Sequence, residues 1–375
     1  MAGIYIHIPF CRQACHYCDF HFSTNLKYQG DMVNAICKEI DARKSYVEEN
    51  IDTIYFGGGT PSLLTGVQIK SILAEIKNHY SIANNAEITL EANPEDLVKG
   101  KSSELLEIGV NRLSIGVQTF HEEKLKWMNR AHSAKEAEQG YLNARREGFQ
   151  NISLDLIYAR PNEEAKAWLS DLKRVVNLKP DHISLYGLTI EEKTVFGKWE
   201  KDEKLLPLPE EDAASQYLEA IEFLNQSGFQ QYEVSNFSKP SFQSKHNGAY
   251  WTGTPYLGIG PGAHSFSGQS RHINIRHNAK YMKLIDEDKP HFETEKLSKT
   301  QRINEQVLTS LRTIDGLDFQ LLESLWGVDL MREHRKFIDD LCDQKMAELE
   351  NGKLKLLPHG FLIADEISLR LFFPE

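Results

Sequence analysis

The stretch GIYIHIPFCRQACHYCDF, residues 3–20, decides how this chain folds. GIYIHIP reads as a β-strand that ends just before Cys11. Three of the five cysteines, Cys11, Cys15 and Cys18, then fall within eight residues. The C-x3-C-x2-C spacing has three readings. Structural zinc wants four ligands, usually in two separated pairs. No second pair follows here, although His7, His16 or His21 could complete a site. A redox pair of Cys15 and Cys18 leaves Cys11 unexplained. An iron–sulfur cluster on three thiolates leaves one iron open to another ligand, which gives the run a reason to stop at three. Cys37 sits in a helical stretch, and Cys342 is far away.

Outward from this stretch the N-terminal half alternates strands with helices. Helical periodicity runs from Gln29 to about Glu49. DTIYFGGGTPS is a strand running into a glycine-rich turn, with a helix near residues 65–80 after it. AEITLEANPE, NRLSIGVQTF, NISLDLIYARP and DHISLYGLT are further strands at intervals of about thirty residues. Six strand–helix units in series imply a parallel sheet with right-handed crossovers. The pattern changes after residue 190, so an α/β fold built on a partial (β/α)6 barrel fits better than a full eight-unit barrel. Ligands of such folds sit at the C-terminal ends of the strands.

Unusual residues fall at those ends. Gly57, Gly58 and Gly59 lack a Cβ and allow close backbone approach. Thr60 adds a hydroxyl, and Pro61 can start the next helix. Glu91 ends the third strand and Gln118 the fourth, Asp155 lies within the fifth, and Arg130 follows a short helix in WMNRAH. One polar strand end usually means only solvation. Several in succession can line a single cavity.

Composition sets outer limits. The chain has 375 residues, a net charge of −11 and a pI near 5.7, against general phosphate binding. Five cysteines in so long a chain do not suggest a disulfide scaffold. No signal peptide or membrane-spanning apolar run is evident, and a cytoplasmic location is expected.

The segments YIHIPFCRQACHYCDF, FGGGTPS, EANPE, GVQTF, NRAH and DLIYARP, in that order, resemble the radical S-adenosylmethionine (SAM) proteins related to oxygen-independent coproporphyrinogen III oxidase. The resemblance implies that Cys11, Cys15 and Cys18 ligate a [4Fe-4S] cluster. It further implies that Tyr5, Gly58, Gly59, Thr60, Glu91, Gln118, Arg130 and Asp155 contact SAM. The chemistry agrees. Acidic side chains suit the ribose hydroxyls or the ammonium, and Arg130 suits the carboxylate.

Two features separate the chain from the oxidases. They have a fourth cysteine two residues after the third, where this chain has Phe20, and an N-terminal extension, whereas this chain begins ten residues before Cys11. Phe20 is expected to pack beside the cluster. HNGAYW, residues 246–251, resembles the H-N-x-x-Y-W motif of HemW-type haem chaperones. That resemblance implies a haem carrier with His246 as axial ligand. The oxidase is the alternative function. Tyr250 and Trp251 would pack on the macrocycle, and His264 in YLGIGPGAHSF, with Gly258, Gly260 and Gly262 in a close turn, is a second possible ligand. The implied partners are haem, acceptor haemoproteins including membrane-associated ones, and an electron donor for the cluster. A peripheral position at the inner membrane face would follow.

Residues 1–190 therefore read as the barrel, 191–300 as a loop-rich extension with an extra strand in FQQYEVSNF, and 301–375 as a winged-helix-like cap. The cap reads as three helices, the third running from Met331 to about Gly352, then a short hairpin and tail. It holds 9 Lys and Arg against 14 Asp and Glu, a net of −5, which argues against nucleic acid.

Overall fold

In a computed structural model the protein is described for residues 2–374. Six parallel strands, β1 (Ala2–Ile8), β2 (Ile51–Gly58), β3 (Ile82–Ala92), β4 (Arg112–Gln118), β5 (Ile152–Tyr158) and β6 (His182–Gly187), form a partial barrel wrapped by the intervening helices. Each strand alternates. Ile4, Ile6, Phe56, Leu90, Leu113, Ile115, Leu154, Leu156 and Ile183 are fully buried against the helices. The intervening positions turn inward and are mostly polar: Tyr5 and His7, Thr53 and Tyr55, Glu87 and Glu91, Arg112 and Ser114, Ser153 and Asp155, His182 and Ser184. Parallel strands buried on both faces normally read as continuous apolar runs. This interior is built to face something polar.

The extension is less irregular than its sequence suggests. Both barrel edges are continued by short strands from it: β7 (Gln230–Gln231), β8 (Asn236–Ser238), β9 (Tyr256–Ile259), β10 (His264–Phe266), β11 (Ser270–Asn274) and β12 (Phe292–Lys296). The resulting order is β12-β11-β10-β9-β1-β2-β3-β4-β5-β6-β8-β7. β9 lies parallel to β1, and β8 antiparallel to β6.

One buried carboxylate fastens the β9–β12 side. Glu39, on the helix Gln29–Ala42, is fully buried and accepts from Gly260 N (2.8 Å), Asn274 Nδ2 (2.8 Å), Tyr281 Oη (2.6 Å) and His291 Nε2 (2.9 Å). Its removal strands these donors and the Arg43 guanidinium 3.6 Å away. Glu39→Ala should cost about 3–5 kcal/mol in urea unfolding. A loss below about 1 kcal/mol, the level of one ordinary hydrogen bond, would remove this clamp from the account.

The C-terminal unit carries a three-stranded sheet of β13 (Leu317–Asp318), β14 (Ala347–Glu350) and β15 (Lys353–Leu356), ordered β13-β15-β14, among helices. The expected third helix is shorter than its sequence implied. It divides into Leu330–Glu333 and Arg335–Asp343, and AELE becomes the first hairpin strand. The expected tail is instead two helices, Pro358–Leu362 and Ala364–Arg370, with Pro358 at the first helical position, where its missing N–H costs nothing. Among the described residues no helix is long and apolar enough to cross a membrane.

Candidate functional site

Cys11, Cys15 and Cys18 lie on the loop that leaves β1 at the C-terminal end of the barrel. All are free, half-buried thiols. The loop is fastened from several sides. Cys11 N donates to Ser23 O (3.1 Å) and His16 N to Met128 O (3.0 Å). Gln13 Nε2 donates to Asn129 Oδ1 (2.6 Å), and Arg12 pairs with the buried Asp96 (2.7 Å). His16 Nδ1 donates to Trp127 O, and Arg276 reaches Asp19 O. A loop held this firmly presents its thiols in one arrangement. Burial pushes the Cys11 thiol up to about 11, although a hydrogen bond from Thr60 lowers it, and pushes Cys18 up to about 12. Among the described residues no three His, Cys, Asp or Glu side chains converge on one ion. A cluster on three thiolates would take each sulfur on a different iron.

The structure brings most of the expected SAM residues to this end. Thr60 Oγ1 donates to Cys11 Sγ (3.5 Å), and Arg130 NH1 reaches Cys15 Sγ (3.5 Å). Arg130 NH2 donates to Asn93 Oδ1 (2.7 Å) and Gly116 O (2.9 Å), while its buried Nε has no partner among the described residues. Burial opposes the Arg130 charge, but Tyr17 and Cys15 hold its pKa above the ordinary value. Gln118, in the left-handed region at φ 66°, follows an irregularity in the β4–β5 register that turns its amide toward Gly116. Deeper in the barrel, Glu91 accepts from Tyr55 Oη (2.8 Å) and Gly58 N (3.2 Å), and burial pushes its carboxyl up to about 7. Asp155 accepts from Ser114 and Ser153 at 3.1 Å, with its pKa also raised by burial. Tyr5 stacks on Tyr55 at 6.2 Å.

The glycines also answer to the protein's own packing. A Cβ on Gly58 would meet the His7 ring at 2.6 Å, and one on Gly59 the Phe10 carbonyl at 2.6 Å. Gly58 also has φ +107°. The protein's own packing between β1 and β2 requires both residues. Phe20, two residues after Cys18, is 67% exposed.

His246 lies elsewhere. The helix Lys245–Trp251 plugs the N-terminal end of the barrel, where Glu87 accepts from the first two amides at 3.1 Å. His246 is 2% exposed, with Nδ1 bonded to Thr53 Oγ1 (2.8 Å) and Nε2 to Tyr250 Oη (3.0 Å). Burial, with the Arg112 charge, lowers its pKa to about 3, so the imidazole is neutral. It touches the position where Gly3 would carry a side chain. Seven residue steps, most of them in β1, lead from Gly3 to Phe10, so the floor and the thiol loop are roughly 20 Å apart. His264 opens β10 and is exposed. The close turn holds: a Cβ on Gly258 would meet His264 O, and one on Gly260 the His7 carbonyl.

The sequence reading missed Tyr17, Asn93, Tyr55 and Arg112. A signal existed in R-L-S-I-G-V-Q and S-L-D-L, where every second residue is polar or small.

A polar-lined partial barrel with three thiols on the loop after its first strand defines a radical SAM protein, and residues 5–175 match the model of the radical SAM superfamily. Residues 297–363 match the HemN C-terminal domain. The chain is 33% identical to the haem chaperone HemW of Bacillus subtilis over 371 residues, covering 98% of each chain. It is 40% identical to that of Escherichia coli over 267 residues, 70% of this chain and 69% of that one. Among solved structures it resembles the E. coli coproporphyrinogen III oxidase HemN, a radical SAM enzyme, with a TM-score of 0.85 at 25% identity over 99% of this chain and 90% of that one. The chain belongs to the HemW family.

Proposed function

We propose that this protein is a haem chaperone, which binds haem and passes it to acceptor haemoproteins while carrying a [4Fe-4S] cluster and SAM. The observation that carries the reading is the correspondence along 98% of both chains with a protein named for that task. Phe20, which cannot ligate iron, favours a carrier over the oxidase.

The residues present fit these groups. Cys11, Cys15 and Cys18 would hold the cluster. Both raised thiols must lose their protons on loading, so loading strengthens as pH rises. The free Nε of Arg130 suits the SAM carboxylate, Glu91 the ammonium and Asp155 the ribose hydroxyls. Tyr5, Gly58, Gly59, Thr60 and Gln118 would complete the wall. When bound, cluster and SAM together supply one-electron chemistry at the sulfonium. The protein contributes a rigid loop, a fixed cation and a polar cavity.

Glu91 gives this assignment a pH signature. Its carboxyl titrates near 7, and only the ionised form attracts an ammonium. SAM affinity should therefore rise as pH increases from about 6 to 8, and Glu91→Gln should bind weakly with a flat profile. A parallel slope in both proteins would remove Glu91 from the SAM site. The sign for stability is opposite: a carboxyl raised in the folded state loses stability as pH rises from its unfolded value toward 7.

His246 is the proposed axial haem donor. Its imidazole is neutral, as ligation requires, but Thr53 and Tyr250 hold both nitrogens. Ligation therefore requires one of these bonds to break, either that to Tyr250 on the same helix or that to Thr53 on β2. The protein works in the cytoplasm, takes electrons from a separate donor and reaches acceptors that include proteins at the inner membrane face. The acidic C-terminal unit favours protein partners over nucleic acid.

The deciding experiment gives anaerobically reconstituted protein haem and, separately, coproporphyrinogen III. Haem uptake with no protoporphyrinogen formed is expected. Protoporphyrinogen formation without haem uptake would assign the oxidase reaction instead.

A further inference from the structure

Arg112 opens β4 and points into the barrel, beneath the residues assigned to SAM. It is 1% exposed, yet its Nε, sealed from solvent, has no hydrogen-bond partner among the described residues. The groups that feel its charge are committed elsewhere. Glu91 is held by Tyr55 and Gly58, and Asp155 by Ser114 and Ser153. His182 bonds Ser153 at Nδ1 and Tyr232 at Nε2, both 2.8 Å, and His246 is bonded at both nitrogens. Leaving a nitrogen of a buried guanidinium unpaired is costly, and a ligand that completed it would offset that cost. Its planar fork matches a carboxylate. Tyr186, inward on β6 and within electrostatic reach of Asp155 and Glu233, is 44% exposed, so the interior opens to solvent at that strand end.

We propose that Arg112 is the anchor of a second site inside the barrel, distinct from the SAM residues, that takes a carboxylate. The favoured source of the carboxylate is a propionate of the carried haem, an identity that rests on the haem-carrier reading. A small free carboxylate has the same chemistry, and the test separates the two. In this arrangement Arg112 positions the macrocycle by its edge and makes no bond to iron.

The test titrates full-length reconstituted protein with ferric protohaem and with protohaem dimethyl ester, whose propionates carry no charge. Wild type should prefer the free acid by about tenfold, the effect of one charge-assisted contact. Arg112→Gln should lose that preference through weaker protohaem binding, with ester binding unchanged. Arg112→Lys, which keeps the charge without the fork, should fall between. Cluster iron and circular dichroism report whether each variant is folded. A second arm follows thermal unfolding in sodium acetate against sodium chloride at equal ionic strength. Acetate stabilisation of wild type but not Arg112→Gln, with no ester discrimination, keeps the anion site and assigns it to a small carboxylate. Folded Arg112→Gln that matches wild type in both arms overturns the proposal. If wild type takes up no haem at all, the carrier reading fails, and the acetate arm still decides the role of Arg112.

Discussion

Replacing Cys11, Cys15 and Cys18 together by alanine is expected to remove essentially all iron and sulfide from the anaerobically reconstituted protein, along with its broad visible absorption. The fold should survive. The loop is held by bonds that do not involve sulfur, including Cys11 N to Ser23 O, His16 N to Met128 O and Gln13 to Asn129. The thiols are only half-buried, so their loss leaves no large cavity. Circular dichroism should be unchanged while metal content falls to background. A triple variant that keeps wild-type iron and sulfide would overturn the assignment. Stoichiometric zinc with no iron in wild type would restore the zinc reading. Phe20→Cys is expected to leave the oxidase reaction absent, since one added thiol does not supply the pocket that the oxidase substrate needs.

The second large effect concerns His246. His246→Ala should weaken haem binding by about a hundredfold, about 2.7 kcal/mol, and change the Soret band while cluster iron stays constant. The two sites are roughly 20 Å apart along β1, so a direct effect on the thiol loop is not expected. The same substitution strands Thr53 and Tyr250 in the barrel floor and should cost about 1–3 kcal/mol of stability. Affinity must therefore be compared at equal folded fraction. Tyr250→Phe separates the roles. It frees Nε2 from a competing hydrogen bond worth about 1 kcal/mol, so a ligating His246 binds haem several-fold more tightly. If His246 serves only as the plug, both variants lose stability and neither moves the Soret band. That result would turn attention to His264, exposed at the start of β10. Trp251→Ala should weaken binding without changing the ligation, because its ring offers packing and no donor to iron.

Much of the architecture was legible from local pattern. The six strands are regularly spaced, and each ends near a residue type that suits a ligand. The thiol spacing required no tertiary information, because a loop of eight residues keeps its members close in any fold. The C-terminal unit was read less well. MREHRKFIDDLCDQKMAELENG looks helical throughout, yet β14 begins at Ala347 because its pairing with β15 supplies hydrogen bonds and burial that a longer helix could not.

The extension shows why the remainder was hidden. β10, β11 and β12 have three to five residues each and little apolar alternation. Strands so short gain their stability from cross-strand neighbours, so nothing within them distinguishes strand from loop until β9 lies beside β1.

The same division applies to the site. The sequence by itself determined the barrel units, the three-thiol loop and the residue types at the strand ends. These are properties of neighbours along the chain. Only the tertiary structure decided that Arg112, His182 and His246 share one enclosed space, that Gly58 and Gly59 are needed for packing, and that Phe20 faces solvent. Strand register sets which inward side chains meet, and one residue of slip would turn each of them outward. That register is fixed by the packing of the whole sheet against its helices, and no segment read alone contains it.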